Sequence, residues 1–300
     1  MKSIACPALV LVLLASCVVQ AQTPINQSRA VNTDARIEVS NIKGSISVRG
    51  WDKAEVAISG TLGAGAKGLT IDGDGASLRI KVEPPTSKGW FSWAADTAMG
   101  DTTLELKVPR NAAMKIESVS ANVDLGEVNG RSLSVDSVSG KLRLDSGAAE
   151  LDIDSVSGDV EIHGKASKSH VETVSGNIRS RGLTGETGFE TVSGDIDVDN
   201  GDYRRLSAES VSGDLELRGA PSADADISIE SMSGDVHLRL PETISAKLQA
   251  STFSGDIRSD FGTSKSPDHG PGSNLEVTLG SGSAKVRIET FSGDIEIRKP

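Results

Sequence analysis

One short phrase, [Ser/Thr]-[Val/Met/Phe]-Ser-Gly-[Asp/Asn/Lys] followed by an alternating apolar segment, recurs through the C-terminal two thirds of the chain. It stands at Ser137, Ser155, Thr173, Thr191, Ser210, Ser231, Thr252 and Thr290. The glycines Gly140, Gly158, Gly176, Gly194, Gly213, Gly234, Gly255 and Gly293 are spaced 18, 18, 18, 19, 21, 21 and then 38, close to two units. A period near 20 residues marks a solenoid, in which each repeat is one coil that buries its apolar face only against its neighbours. Aromatic residues make up 3% of the chain, too few for a layered core but enough for thin coils filled by small and aliphatic side chains.

Aligned on glycine, the repeats give apolar-x-apolar pairs on both sides of the turn, as in short strands with one buried face. Leu133/Val135, Leu151/Ile153 and Leu206/Ala208 precede it, and Leu142/Leu144, Val160/Ile162 and Ile196/Val198 follow it. Val138, Val156, Val174, Val192, Val211, Met232, Phe253 and Phe291 lie between these pairs. Counted as inward, they bring each coil to about five buried apolar side chains, each contributing roughly 1.5–3 kcal/mol. The glycine supplies the corner, through positive φ or tight backbone approach. After the turn the outward residues read Arg143, Glu161, Arg179, Asp197, Glu216, His237, Arg258 and Glu296. Their largely alternating sign predicts coils stacked in register, with charges paired between rungs.

Two earlier stretches carry the same pattern, one with its glycine at Gly44 and one with Ala121 in place of glycine. The reading is an all-β, single-chain parallel β-solenoid of about ten right-handed coils of 18–21 residues. It divides into a signal peptide (1–21), an irregular N-terminal β part with capping strands (22–110) and the regular Ser-Gly-Asp repeat (111–300). Ser259 to Gly272 is expected to loop out, and Ile295 to Pro300 to be a guarded last strand at an edge.

Lys2, the apolar run Ala8 to Ala15 and the small-x-small end Val19-Gln20-Ala21 read as an export signal. Its apolar run is too short to span a bilayer. Cleavage after Ala21 leaves a chain without cysteine, whereas Leu14-Ala15-Ser16-Cys17 also fits a lipobox, with Cys17 as lipid anchor. The expected location is outside the cytoplasm, in the periplasm or at the cell surface. The net charge of −11, one unit more negative without Lys2, opposes nucleic acid and anionic lipid.

These residues resemble a known family. Ile42 to Asp52, the strand-Pro element Leu104 to Pro109 and the serial Val-Ser-Gly-Asp coils to Pro300 are similar to the bacterial "putative adhesin" family of exported β-solenoid proteins, a domain family of unknown function. The resemblance implies the fold over nearly all of the mature chain and an adhesive or structural role in the envelope.

Two acidic columns flank the turn. Asp136, Asp154, Glu172, Glu190, Glu209, Glu230 and Glu289 precede it, and Asp159, Asp195, Asp214, Asp235, Asp256 and Asp294 follow the glycine. At about 4.8 Å each like-charge contact costs about 1 kcal/mol in water and about 3.5 kcal/mol at an effective dielectric of 20. Either Ca²⁺ binds them or they accept turn N–H groups and otherwise face solvent. Trp90, Phe91 and Trp93 form either an exposed contact patch or a plug for the open end.

No catalytic, cofactor or metal residue is assigned. His163, His170, His237 and His269 have no zinc spacing, and no nucleophile elbow or phosphate loop is present. Asp195 and Asp214 could pair as acid and base, but residues that recur in every coil are explained by folding. The sequence predicts a non-enzymatic, adhesin-like interaction or structural module whose partner is an envelope protein or a polysaccharide. The alternatives are a periplasmic scaffold or sensor-associated protein, and a polysaccharide-active enzyme.

Overall fold

The computed structural model describes residues 23–85, 99–219, 221–266 and 271–300, so the leader, the Trp90–Trp93 segment, Pro267 and His269 lie outside the described residues. Within them there are twenty-three strands and no helix. The chain opens with β1 (Thr23–Ala30), β2 (Arg36–Trp51), β3 (Glu55–Leu62), β4 (Gly68–Gly73), β5 (Ser77–Glu83), β6 (Thr102–Pro109) and β7 (Ala113–Val128). The regular repeats supply β8 (Ser132–Ser139), β9 (Leu142–Ser146), β10 (Glu150–Ser155), β11 (Val160–Gly164), β12 (Lys168–Thr173), β13 (Ile178–Arg181) and β14 (Thr184–Thr191). They continue with β15 (Ile196–Ser210), β16 (Leu215–Gly219), β17 (Asp226–Ser233) and β18 (Val236–Arg239). The last are β19 (Ala246–Ser254), β20 (Ile257–Ser259), β21 (Ser273–Leu279), β22 (Ala284–Ser292) and β23 (Ile295–Arg298).

Each repeat gives one strand to each of two parallel ladders. The first half of β2 and of β7, then β8, β10, β12, β14, the second half of β15, and β17 form the pre-turn ladder. The second halves of β2 and β7, then β9, β11, β13, the first half of β15, β16 and β18 form the post-turn ladder. This is a β-solenoid-like arrangement, and the two ladders pass from β2 to β7 with the same alignment as between later repeats.

The strand pairs predicted to face inward are buried, Leu133, Val135, Leu142 and Leu144 among them. Period-two alternation does not stop at the turn, and here the sequence reading is corrected. With Val135 inward, parity places Ser137 inward and Val138 outward. The structure follows parity: Ser137, Ser155, Thr173 and Thr191 are buried, whereas Val138, Val156, Val174 and Val192 are 43–49% exposed. A short side chain fits the corner, and in two coils its hydroxyl bonds the glycine behind it, whereas the hydroxyls of Thr191, Ser210, Ser231 and Thr290 are buried without a partner among the described residues. Gly158 donates its N–H to Ser155 Oγ (3.2 Å) and Gly176 to Thr173 Oγ1 (3.1 Å).

The glycine column is fixed by packing more than by φ. A Cβ on Gly158, Gly176, Gly194 or Gly213 would lie 2.0–2.1 Å from the carbonyl oxygen of the glycine one coil before, and positive φ recurs only at Gly44 and Gly140.

At both ends the order in space departs from the order in sequence. The C-terminal repeat is inserted: β22 lies between β17 and β19, and β23 between β18 and β20. Ile295 to Pro300 is therefore no edge strand. Its neighbour in space is the Thr252 coil, which the chain lays down first and then backs with β21, antiparallel to β19. After Ser259 the chain leaves β20, and from Ser273, beyond the stretch expected to loop out, it returns as the end strand β21. The N-terminal end is built likewise, with β2 between β7 and the outer β5 and β6. Antiparallel β3 and β1 continue outward from β6, and β4 from β5. β1, β3, β4, β5 and β6 therefore lie on the side of β2 away from the regular repeats.

The predicted register between charged rungs holds, with Arg143, Glu161, Arg179 and Asp197 aligned in turn. Because the last coil is inserted, Glu296 sits between His237 and Arg258 rather than beyond Arg258.

Candidate functional site

The parity that turns Val138 outward repeats in every coil. Val119, Val138, Val156, Val174, Val192, Val211, Met232, Phe253 and Phe291 are the exposed large apolar side chains among the described residues, and all belong to one column. Backbone bonds through the turn hold this column in line. Val156 N–H donates to Ser137 O (3.1 Å) and Ser157 N–H to Val138 O (3.0 Å), with Val174, Ser175, Val192 and Ser193 repeating the pattern. The result is a ridge of apolar side chains along the stack. It ends in Phe291 and Phe253, whose rings stack at 4.9 Å and 10°.

The next outward column on the N-terminal side, two residues earlier, is the pre-turn acidic one. Asp136, Asp154, Glu172, Glu190, Glu209, Glu230 and Glu289 are aligned rung by rung. Between ridge and carboxylates runs a groove. One stretch, about 780 Å³, extends from Glu172 to Phe253 and Phe291, and another, about 540 Å³, from Ser40 and Ile42 to Glu172 and Val174.

The two acidic columns differ in what satisfies them. After the glycine, each side-chain oxygen accepts the backbone N–H of the equivalent residue one coil on: Asp159 from Asn177 (3.1 Å), Asn177 from Asp195 (2.9 Å), Asp195 from Asp214 (3.1 Å) and Asp214 from Asp235 (2.9 Å). Asp235, Asp294 and Asp256 continue the series in spatial order. Asp or Asn recurs there because a short side chain with an acceptor oxygen spans one rung. Asp195 and Asp214 are members of this series.

The groove column lacks such partners. Lys115 reaches Glu117 (2.8 Å) and Asp136 (3.2 Å), but no described Lys, Arg or His comes within the 4.0 Å ion-pair distance of Asp154, Glu172, Glu190, Glu209, Glu230 or Glu289. Burial, reinforced by Asp152, Asp136 and Glu172, pushes the Asp154 carboxyl above its ordinary range. On the post-turn ladder carboxylates meet cations instead: Arg143 pairs with Glu161 (3.3 Å) and Arg218 with both Asp197 (2.9 Å) and Glu216 (2.6 Å), while the His237 ring lies 3.2 Å from Glu296.

Among the described residues Asp154, His170 and Glu172 bring one potential metal-ligand atom each within 4.8 Å of one another, where sequence reading assigned none. His163 lies 3.5 Å from Glu161, on the other ladder. The ridge itself was legible in the strand parity and was hidden by ranking apolarity above alternation.

No helix among the described residues is long and apolar enough to cross a membrane. The sequence matches no curated protein. Among solved structures, a putative adhesin from Parabacteroides merdae is similar, with 11% identity, a TM-score of 0.54 and coverage of 92% of this chain and 96% of that one. A putative adhesin from Parabacteroides distasonis is similar at 13% identity, with a TM-score of 0.52 and coverage of 92% and 98%. At such identity the likeness shows the fold alone. The family is shown by sequence over residues 34–298: the chain belongs to the Toastrack DUF4097 family.

Proposed function

We propose that this chain is an exported, non-enzymatic β-solenoid of about ten right-handed coils that serves as an adhesin-like interaction or structural module of the bacterial cell envelope. Its contact face is the groove between the apolar ridge and the pre-turn carboxylates. The observation that carries this reading is the confinement of the exposed large apolar side chains, among the described residues, to one continuous column. Contiguous apolar surface rimmed by polar groups is where proteins meet partners. A ridge kept in line by backbone bonds also loses little freedom on binding. The structural neighbours named as adhesins support the same direction.

Protease treatment of intact cells tests the location. Loss of the protein while a periplasmic marker survives is the expected result for an adhesive role, and protection until the outer envelope is opened turns the reading to a periplasmic scaffold. In-cell cross-linking tests the face: Phe253→Ser/Phe291→Ser is expected to lose the cross-links that wild type makes.

A further inference from the structure

We propose that the groove takes a basic amphipathic helix of a protein partner, its apolar stripe on the ridge and its Lys and Arg side chains on the pre-turn carboxylates. This deepens the preceding reading and rests on the groove being the contact face.

Charge complementarity selects the occupant. Six consecutive carboxylates, from Asp154 to Glu289, lack an ion-pair partner among the described residues, while on the post-turn ladder Glu161, Asp197 and Glu216 are paired with Arg143 and Arg218. An anionic lipid surface or a second acidic copy of this chain meets repulsion there, and a neutral glycan has no cation to offer the wall. A basic partner relieves the like-charge contacts that the stack imposes.

The repeat distance selects the helix. Rungs follow one another at about 4.8 Å, and a helix lying along the groove offers one turn every 5.4 Å or so, whereas an extended strand offers same-face residues only about every 6.7 Å. The wider stretch of groove runs from the Thr173 coil to the Thr252 coil, five steps in spatial order. That is about 24 Å, or about 16 helical residues. Apolar side chains at i, i+3, i+7, i+10 and i+14, one stripe of the helix, would lie over Val192, Val211, Met232, Phe291 and Phe253 in turn, with flanking basic residues over Glu190, Glu209 and Glu230. The stacked rings are the natural anchor, and the Met232 thioether adapts to different neighbours.

The test titrates the purified mature protein into a fluorescent peptide of about 18 Leu and Lys residues in helical amphipathic order, followed by anisotropy and circular dichroism. Saturable binding with a rise in peptide helicity is expected, weakening as salt screens the wall. Glu190→Gln/Glu209→Gln/Glu230→Gln and Phe253→Ser/Phe291→Ser are each expected to weaken it more than about tenfold, and Glu216→Gln on the other ladder to leave it unchanged. All of these positions face outward, and wild-type melts of the variants show that the fold is kept. Equal binding of a scrambled Lys/Leu peptide, or of a Glu/Leu helix, overturns the proposal, as does indifference to both groove variants. If wild type ignores the peptide while Phe253→Ser/Phe291→Ser loses its cross-links in cells, the contact face stands and the basic helix falls. If the cross-links persist in that variant, the face itself is wrong.

Discussion

A methyl group added at Gly194 has nowhere to go, because it would lie 2.0 Å from the Gly176 carbonyl oxygen. Gly194→Ala is expected to cost about 3 kcal/mol in a urea melt, and Gly194→Val more. Gly188→Ala is the control: its added carbon meets nothing nearer than His170 Nδ1 at 3.4 Å, and a change within about 0.5 kcal/mol is expected. The inward hydroxyls separate similarly. Thr173→Val loses the bond from Gly176 N–H and should cost about 1 kcal/mol, whereas the Thr191 hydroxyl has no partner, so Thr191→Val should be neutral or stabilising. Asp154 carries a pH signature. Its carboxyl is raised in the fold, so the charged form is disfavoured there, and the cost is absent below the ordinary Asp range near 3.9 and complete above the raised value. Asp154→Asn should therefore stabilise at pH 7, with the gain fading on acidification through that window in matched denaturation curves. The sequence showed at this scale that glycine is required at the corner, since small residues recur there coil after coil. It did not show that contact with the previous coil's carbonyl, rather than φ, is the main reason.

Strands obey parity more strictly than they obey hydrophobicity. Val192 is 45% exposed and Phe189 is fully buried, although both are apolar and stand three residues apart. Val192→Ser should leave the melting curve within about 0.5 kcal/mol of wild type, whereas Phe189→Ala should cost about 3–5 kcal/mol. Equal losses would put the ridge back inside. The inward pairs such as Leu142/Leu144 were readable because alternation and apolarity agree in them. Ser137 and Val138 were not, because there the two signals conflict and a polar hydroxyl takes the inner place. The Asp series after the glycine was readable as acceptors for turn N–H groups, and the structure identifies the donor as the equivalent residue on the next rung. The groove carboxylates looked the same in sequence. Only the positions of basic side chains from other coils, such as Lys115 and Arg218, tell a neutralised column from an open one.

The whole stack could be read as far as its period was regular. The final interval of 38 residues indicated an interruption of about one unit, but not that the interrupting coil would be laid down outside and the last repeat returned beneath it. That order depends on β21 turning back along β19, a long-range pairing with no repeat to announce it. Removing residues 284–300 should accordingly expose β17 and β18 on one side and β19 and β20 on the other, with loss of hydrogen-exchange protection in all four. Removing β1, which among the described residues pairs only with β3, should leave them protected. The inserted coil also bears on how the molecule answers to mechanical load. A strand at an open edge is unzipped one bond at a time, but traction on the C-terminus draws β22 and β23 lengthwise from between two parallel neighbours each, so that whole ladders must yield in shear together.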